Sequence, residues 1–406
     1  GSTWASYTSG TAITTTGATG SVIVQSRRTG GSYGCSASAW STISTWTVGS
    51  TPTAPTLSAA SPASGSTICA DFNTGSVTGT GGSGGSTGAT NEYQVSINGG
   101  STWASYTSGA AITTTGATGS VIVQSRRTGG SYGCSASAWS TLCTWTVAST
   151  PSAPTLSAAS PASGTTICAG FNTGTVTGTG GSGGSTGAAN EYQVSINGGS
   201  TWASYTSGTA ITTTGATGSV IVQSRRTGGS YGCSASAWST ICTWTVGSTP
   251  TAPTLSAASP VSGSTICAGY NSGTVTGTGG SGGSSGATNE YQVSIDNGGT
   301  WSSYTSGDAI NTTGATGSVI VQSRRTGGSY GCSTSAWSTI CTWTVGSTPT
   351  APTLSVASPA SGSTICAGFN TGTVTGTGGS GGSTGAANEY QVSINGGSTW
   401  SSYTSG

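Results

Sequence analysis

The sequence has no lysine, no histidine and no methionine, and only 4% of its 406 residues are charged. Eight arginines against seven acids leave a net charge of +1. With no basic run, the chain lacks the electrostatic footprint of a nucleic-acid binder. Without histidine it lacks the commonest general base and metal ligand. Without lysine it cannot form Lys–Asn isopeptide staples. No apolar run approaches the ~18 residues of a membrane-spanning helix. Helix signals are also missing: no window keeps apolar residues at 3.6 spacing, and Gly, Ser and Thr interrupt every stretch. What is present is glycine (72), cysteine (11), tryptophan (13), tyrosine (14) and many hydroxyls. An aromatic content of 7% separates the chain from a disordered Ser/Gly linker.

A 99-residue period organises everything. Trp4, Trp103, Trp202, Trp301 and Trp400 fall at that step, as do Glu92, Glu191, Glu290 and Glu389 and the four arginine pairs from Arg27-Arg28 to Arg324-Arg325. The natural cut lies in the Pro-bearing stretch 49–55 and its copies, short connectors stiffened by two prolines. It yields repeats at 52–150, 151–249 and 250–348, flanked by partial repeats at 1–51 and 349–406. This reads as a window onto a longer array; the alternative is that partial repeats of neighbouring chains complete each other.

Each repeat is expected to be an all-β, immunoglobulin-like antiparallel sandwich. Seven short segments of repeat 52–150 alternate in polarity between Gly, Pro and Asn clusters: 53–59, 75–81, 92–98, 102–107, 111–115, 120–127 and 140–148. Alternation puts Tyr93, Val95 and Ile97 on one face, Val121 and Val123 on one face, and Cys143, Trp145 and Val147 on one face. These form the expected core, with Trp103, Trp139 and Tyr106 closing its ends. The outward faces are left to Ser, Thr and Gln.

The segment Ser96-Ile-Asn-Gly-Gly-Ser-Thr-Trp103 is the clearest hairpin, since Asn and Gly accept the positive φ of tight turns. It resembles the Asp-box, S-x-D-x-G-x-T-W, with Asn in place of Asp in three of four full copies and Asp296 in the other. That motif implies a capped hairpin with Trp over the turn, not an activity.

Little chemistry is available. Each repeat brings one recurring acid, whereas glycoside hydrolysis uses two carboxylates, and no base stands ready to activate a serine. Asp296 and Asp308 come nearest to a calcium loop and fall short of one. The run Gly178–Gly184 lacks the lysine and helix of a phosphate cradle. The expectation is a non-enzyme with no cofactor and no metal. The arginine pairs Arg126-Arg127 and Arg225-Arg226 are candidate surface contacts, for an acidic glycan or a neighbouring repeat's Glu; the plainer reading is a solvated strand end.

The cysteines form three series: Cys35, Cys134, Cys233 and Cys332; Cys143, Cys242 and Cys341, with Ser44 in the fourth place; and Cys69, Cys168, Cys267 and Cys366. Their spacing matches no C-x-x-C metal or redox pattern, and the regular array points to an oxidising, extracellular setting. Three per repeat cannot all pair internally. Ser44 favours first-to-third pairing with the second series as a buried thiol beside Trp145, while first-to-second and second-to-third stay open. In an immunoglobulin-like chain trace the first and third series lie at opposite poles, beyond the ~7 Å that bridged Cα atoms allow. This leads to staples between consecutive repeats, Cys69–Cys233 and Cys168–Cys332.

The recurring segments Ser163–Gly170, Glu191–Ser195, Tyr231-Gly-Cys233 and Trp244-Thr-Val246 together resemble the tandem immunoglobulin-like repeats of giant Bacteroidota surface adhesins and filament proteins, the SprB-like gliding adhesin class. The resemblance implies export by the type IX system, a cell-surface location and a role in a surface filament, with gliding motility among the settings. Two functions are carried forward. One is a structural fibre or stalk of stacked repeats, each touching its neighbours, at roughly 40 Å per repeat from ~3.3 Å per strand residue. The other is a carbohydrate- or surface-binding module acting by avidity. Ice binding, prompted by Thr175-Val-Thr-Gly-Thr179, is the weakest, since one short Thr row per repeat makes no lattice. The expected partners are neighbouring repeats of the same or identical chains, and surface glycans.

Overall fold

The computed structural model describes residues 3–406, and every regular element in it is a strand. In repeat 52–150 the strands Thr56–Ser61, Gly75–Thr80 and Ala111–Ile112 form one sheet. A second sheet is ordered Thr67–Ile68, Ser140–Val147, Ser120–Arg127, Asn91–Ser96, Ala104–Ser105. Repeat 250–348 shows the same three-plus-five arrangement. Neighbours are antiparallel except where Thr67–Ile68 runs parallel to the end of Ser140–Val147, pairing Val147 with Ile68. This is a tandem array of immunoglobulin-like β-sandwiches with the period read from the sequence.

The chain gathers into two compact units. The first holds everything to Thr155 together with Gly178–Tyr192 and Gln223–Ser239; the second holds Leu156–Thr177, Gln193–Val222 and Thr240–Gly406. Repeat 52–150 lies wholly in the first and repeat 250–348 wholly in the second, and residues of repeat 151–249 belong to both.

The core of repeat 52–150 is Ile68, Val77, Ile112, Ala117, Val121, Val123, Leu142, Cys143 and Trp145. Tyr93, Val95, Ile97, Tyr106 and Val147 pack against it, so the alternation read from the sequence places these side chains inward. Trp145 is fully buried and donates its indole N–H to the Pro62 carbonyl at 2.9 Å, which satisfies the one polar atom it takes inside. Gly75 allows this packing, because a Cβ there would come within 2.9 Å of the Trp145 ring. The Tyr106 hydroxyl accepts the Val77 N–H at 2.9 Å and reaches the Val77 and Ala110 carbonyls at 2.8 Å, tying one sheet to the other.

Three expectations need correction. Trp103 and Trp139 do not close the core: Trp103 is 36% exposed, and Trp139 lies on the outer face under the Arg126 guanidinium. Leu142 and Cys143 are both buried although adjacent, because the register shifts between Thr141 and Cys143, a bulge that turns a second side chain inward. The strand count is eight rather than seven, since the two-residue strand Thr67–Ile68 is too short to carry a period.

Candidate functional site

The junctions between consecutive repeats hold the most distinctive chemistry of the chain. Each is built from one pole of a sandwich and the loops of the next. In the first compact unit, Cys69 is bonded to Cys233, with Cα atoms 5.3 Å apart and 164 residues between them in sequence. In the second, Cys168 is bonded to Cys332 at 5.2 Å with the same separation. Both bridges join the third-series cysteine of one repeat to the first-series cysteine of the following repeat.

Backbone hydrogen bonds and an aromatic pair support each bridge. The Cys69 N–H donates to the Tyr231 carbonyl at 3.0 Å and the Thr186 N–H to the Thr67 carbonyl at 3.0 Å. The Thr67 N–H donates to the Thr186 hydroxyl at 2.9 Å. Phe72 meets Tyr231 edge-on, with centroids 5.4 Å apart. The second junction repeats the set: Cys168 N–H to Tyr330 carbonyl, Ser285 N–H to Thr166 carbonyl, and Phe171 edge-on to Tyr330 at 5.4 Å. Gly232 permits the approach, since a Cβ there would sit 3.1 Å from Phe72 Cβ. An edge-to-face pair adds about 0.5–1.5 kcal/mol beyond its buried area. Closing a loop of this length by a disulfide removes denatured-state entropy worth about 5 kcal/mol in the chain-entropy model. The covalent bond therefore dominates the junction.

The remaining candidate cysteines are unbridged. Cys143, Cys242 and Cys341 are buried thiols in the cores beside Trp145, Trp244 and Trp343. Burial pushes each thiol's pKa up, partly opposed by a hydrogen bond from Ser64, Ser163 or Ser262. A thiol held neutral and away from solvent is inert. Cys35, Cys134, Cys267 and Cys366 are also free.

The arginine pairs act structurally inside their own repeats. Arg126 Nε donates to Glu92 Oε2 at 2.6 Å and its guanidinium lies 4.5 Å from the Trp139 ring centroid. Arg225 repeats this with Glu191 and Trp238, and Arg324 with Glu290 and Trp337. The acid comes from the same repeat, because Glu92 faces Arg126 directly across two paired strands. Arg127 turns the other way and ties down the loop, with Nε on the Gly84 carbonyl at 2.8 Å and Nη1 on Asn91 Oδ1 at 3.0 Å. Arg226 does the same with Gly183 and Asn190. These side chains are engaged rather than solvated strand ends. Sequence order could not reveal the Trp139 partner, which lies on the strand-entry loop 13 positions from Arg126.

The Asp-box-like segment is a capped hairpin. Asn98 Oδ1 accepts the Thr102 N–H at 2.9 Å and the Ser96 hydroxyl at 2.9 Å, while the Gly100 N–H donates to Ser96 Oγ at 2.8 Å. Gly99 and Gly100 both have positive φ, as the tight turn requires. Asp296 takes the Asn98 role, and hydrogen bonds from Thr300 and Ser294 hold its carboxyl well below the usual range, at about 2. Among the described residues no three His, Cys, Asp or Glu side chains converge as a metal site would need. Among the described residues no helix is long and apolar enough to cross a membrane.

No family model and no curated protein matches the sequence. Among solved structures, the chain is similar to the Drosophila N-cadherin EC1-4 crystal structure, with 16% identity over 72% of this chain and 76% of that one and a TM-score of 0.26. At so low a score the two chains do not superpose as wholes, and the assignment as an immunoglobulin-like sandwich array rests on the strand pairing described above.

Proposed function

We propose that this chain is the structural repeat region of an extracellular surface filament or stalk, non-catalytic, in which the repeats at 52–150, 151–249 and 250–348 are linked in series to carry tension. The overlap of the two disulfides is the observation that carries this reading. Cys69–Cys233 and Cys168–Cys332 enclose segments that share residues 168–233. The shortest covalent route from Cys69 to Cys332 therefore runs through one bridge, back along that shared segment and through the other. It spans about 65 residues instead of about 263, or roughly 220 Å instead of 900 Å at the ~3.4 Å an extended residue covers. A pull on the ends can unfold a sandwich without releasing most of its length. The same bonds need an oxidising compartment, which supports an extracellular location. The bacterial gliding-adhesin setting is part of this proposal and has its support in the repeat style of the sequence.

Single-molecule stretching of the full chain tests the proposal. The final contour is expected to lengthen by about 670 Å on addition of a reductant, at ~3.4 Å per residue. Equal contours with and without reductant would overturn the tension-bearing reading.

A further inference from the structure

The outer face of the five-stranded sheet carries an open groove of about 710 Å³ in repeat 250–348. Its floor is set by register: Glu290 lies opposite Arg324, Gln292 opposite Gln322, and Ser303 on the other side of Gln292. The indoles of Trp337 and Trp301 also line it, and both are half-buried. Trp337 is locked by the Arg324 guanidinium at 4.4 Å from its centroid, and Arg324 is locked by Glu290 at 2.6 Å. Gln292 Nε2 donates to Gln322 Oε1 at 2.9 Å, which fixes which way the amide points. These interactions use only part of each group's capacity. Among the described residues, Glu290 Oε1, Gln292 Oε1, the two Nη groups of Arg324 and the Ser303 hydroxyl have no partner in the protein.

We infer that this groove is a binding site for a neutral, hydroxyl-rich oligosaccharide. A pyranose ring offers an apolar C–H face and a rim of hydroxyls that each donate and accept. An indole presents a flat apolar surface of matching size. Carboxylate, amide and guanidinium edges present planar pairs of acceptors and donors that adjacent hydroxyls can bridge. Here those planar edges are already held in place, so binding spends little on ordering them. Glu290 and Arg324 neutralise each other, so the groove has no net charge to attract an anionic glycan, and Glu290 repels one. The groove is open along its length rather than closed, which suits the middle of a polymer as well as its end.

Repeat 52–150 holds the same set in the same register. Arg126 joins Glu92 and Trp139, Gln94 Nε2 donates to Gln124 Oε1 at 3.0 Å, and Gln94 faces Ser105. A site recurring with the repeat converts weak single contacts into avidity along a polysaccharide. This binding role goes beyond the load-bearing one and does not depend on it; either can fail alone.

The test uses the full oxidised chain. Cellohexaose, mannohexaose and maltohexaose are titrated while tryptophan fluorescence and heat are followed, with polygalacturonate as the charged comparison. At least one neutral hexasaccharide is expected to bind with a dissociation constant of about 0.1–1 mM. Trp139→Ala, Trp238→Ala and Trp337→Ala combined are expected to weaken it at least ~10-fold, about 1.4 kcal/mol. Gln94→Ala and Gln292→Ala, at half-buried positions on the outer face of the sheet, are expected to weaken it several-fold. The inference is overturned if no neutral hexasaccharide binds at about 10 mM. It is overturned equally if neither variant set alters binding, if polygalacturonate is preferred, or if the tryptophan changes abolish only self-association of the chain.

Discussion

The partial repeats at 1–51 and 349–406 carry nearly the same residues as the complete ones and bury far less. Val22 pairs with Trp46 just as Val121 pairs with Trp145, yet Trp46 is 50% exposed and Trp145 is fully buried. At the other end, Val374 is 47% exposed against 0% for its counterpart Val77. Strand pairing therefore forms from local sequence, while burial requires both sheets. The segment 21–47 supplies part of one sheet and 350–403 supplies parts of both. A single sheet cannot remove its inner face from water, and apolar area returned to water forfeits about 25 cal/mol per Å².

The largest expected effect of this contrast comes at the buried tryptophan. Trp343→Ala is expected to destabilise its repeat by about 3–5 kcal/mol. Trp46→Ala is expected to cost about 0.5 kcal/mol or less in the hairpin 21–47, as for a surface position. Hydrogen exchange resolved by segment measures both, and similar losses at the two sites would show that burial does not separate the two tryptophans. Next is the tyrosine that ties one sheet to the other. Tyr304→Phe orphans the Val275 N–H, while the Val275 carbonyl keeps the Gly307 N–H at 2.8 Å, and is expected to cost about 1–2 kcal/mol. The same change at Tyr403, whose partner Val374 is open to water, is expected to cost a few tenths of that, with water taking its place.

A smaller effect sits at the junction-forming pole. Asp71 adopts φ 80°, a left-handed conformation, where the later repeats and the partial repeat place Gly170, Gly269 and Gly368. Asp71→Gly is expected to stabilise repeat 52–150 by about 1 kcal/mol, seen as a raised thermal midpoint for that repeat. The smallest is the hairpin acid. Asp296 has a folded pKa of about 2 against 3.8 ordinarily, so the carboxylate is favoured by folding. Its contribution is complete above pH ~4 and is lost as pH falls through about 2. Asn395 holds the same place in the partial repeat and does not titrate. Acid titration followed by NMR at Thr300 and Thr399 is expected to show a hydrogen-bond transition at the first residue only.

Much of this architecture could be read from the chain, for definite reasons. Period 2 marked Tyr93, Val95, Val121, Val123, Cys143 and Trp145 as inward because a sheet face leaves that trace. Leu142 escaped because a bulge breaks the alternation without leaving a mark in composition. Thr67–Ile68 escaped because two residues carry no period, although Ile68 lies fully buried in the core. Trp103 and Trp139 were misplaced for a different reason: a large aromatic is equally at home on a core edge, over a turn as Trp103 is, or over a guanidinium as Trp139 is, and only the fold decides. Of the junction, the cysteine spacing and the poles of a sandwich were enough to expect staples between repeats. The Phe72–Tyr231 pair was not legible, since nothing in either segment names a partner so far along the chain.

Whether the staples join consecutive repeats can be read from tryptic peptides mapped without reduction. In this lysine-free chain trypsin cuts only at the four arginine pairs. It thereby separates Cys35 and Cys69 from Cys134, Cys143 and Cys168, and these from Cys233, Cys242 and Cys267 and from Cys332, Cys341 and Cys366. Fragment 29–126 is expected to be bonded to 227–324, and 128–225 to 326–406, each bond skipping one fragment. A bond between 29–126 and 128–225, as Cys69–Cys134 within one repeat would give, would contradict it.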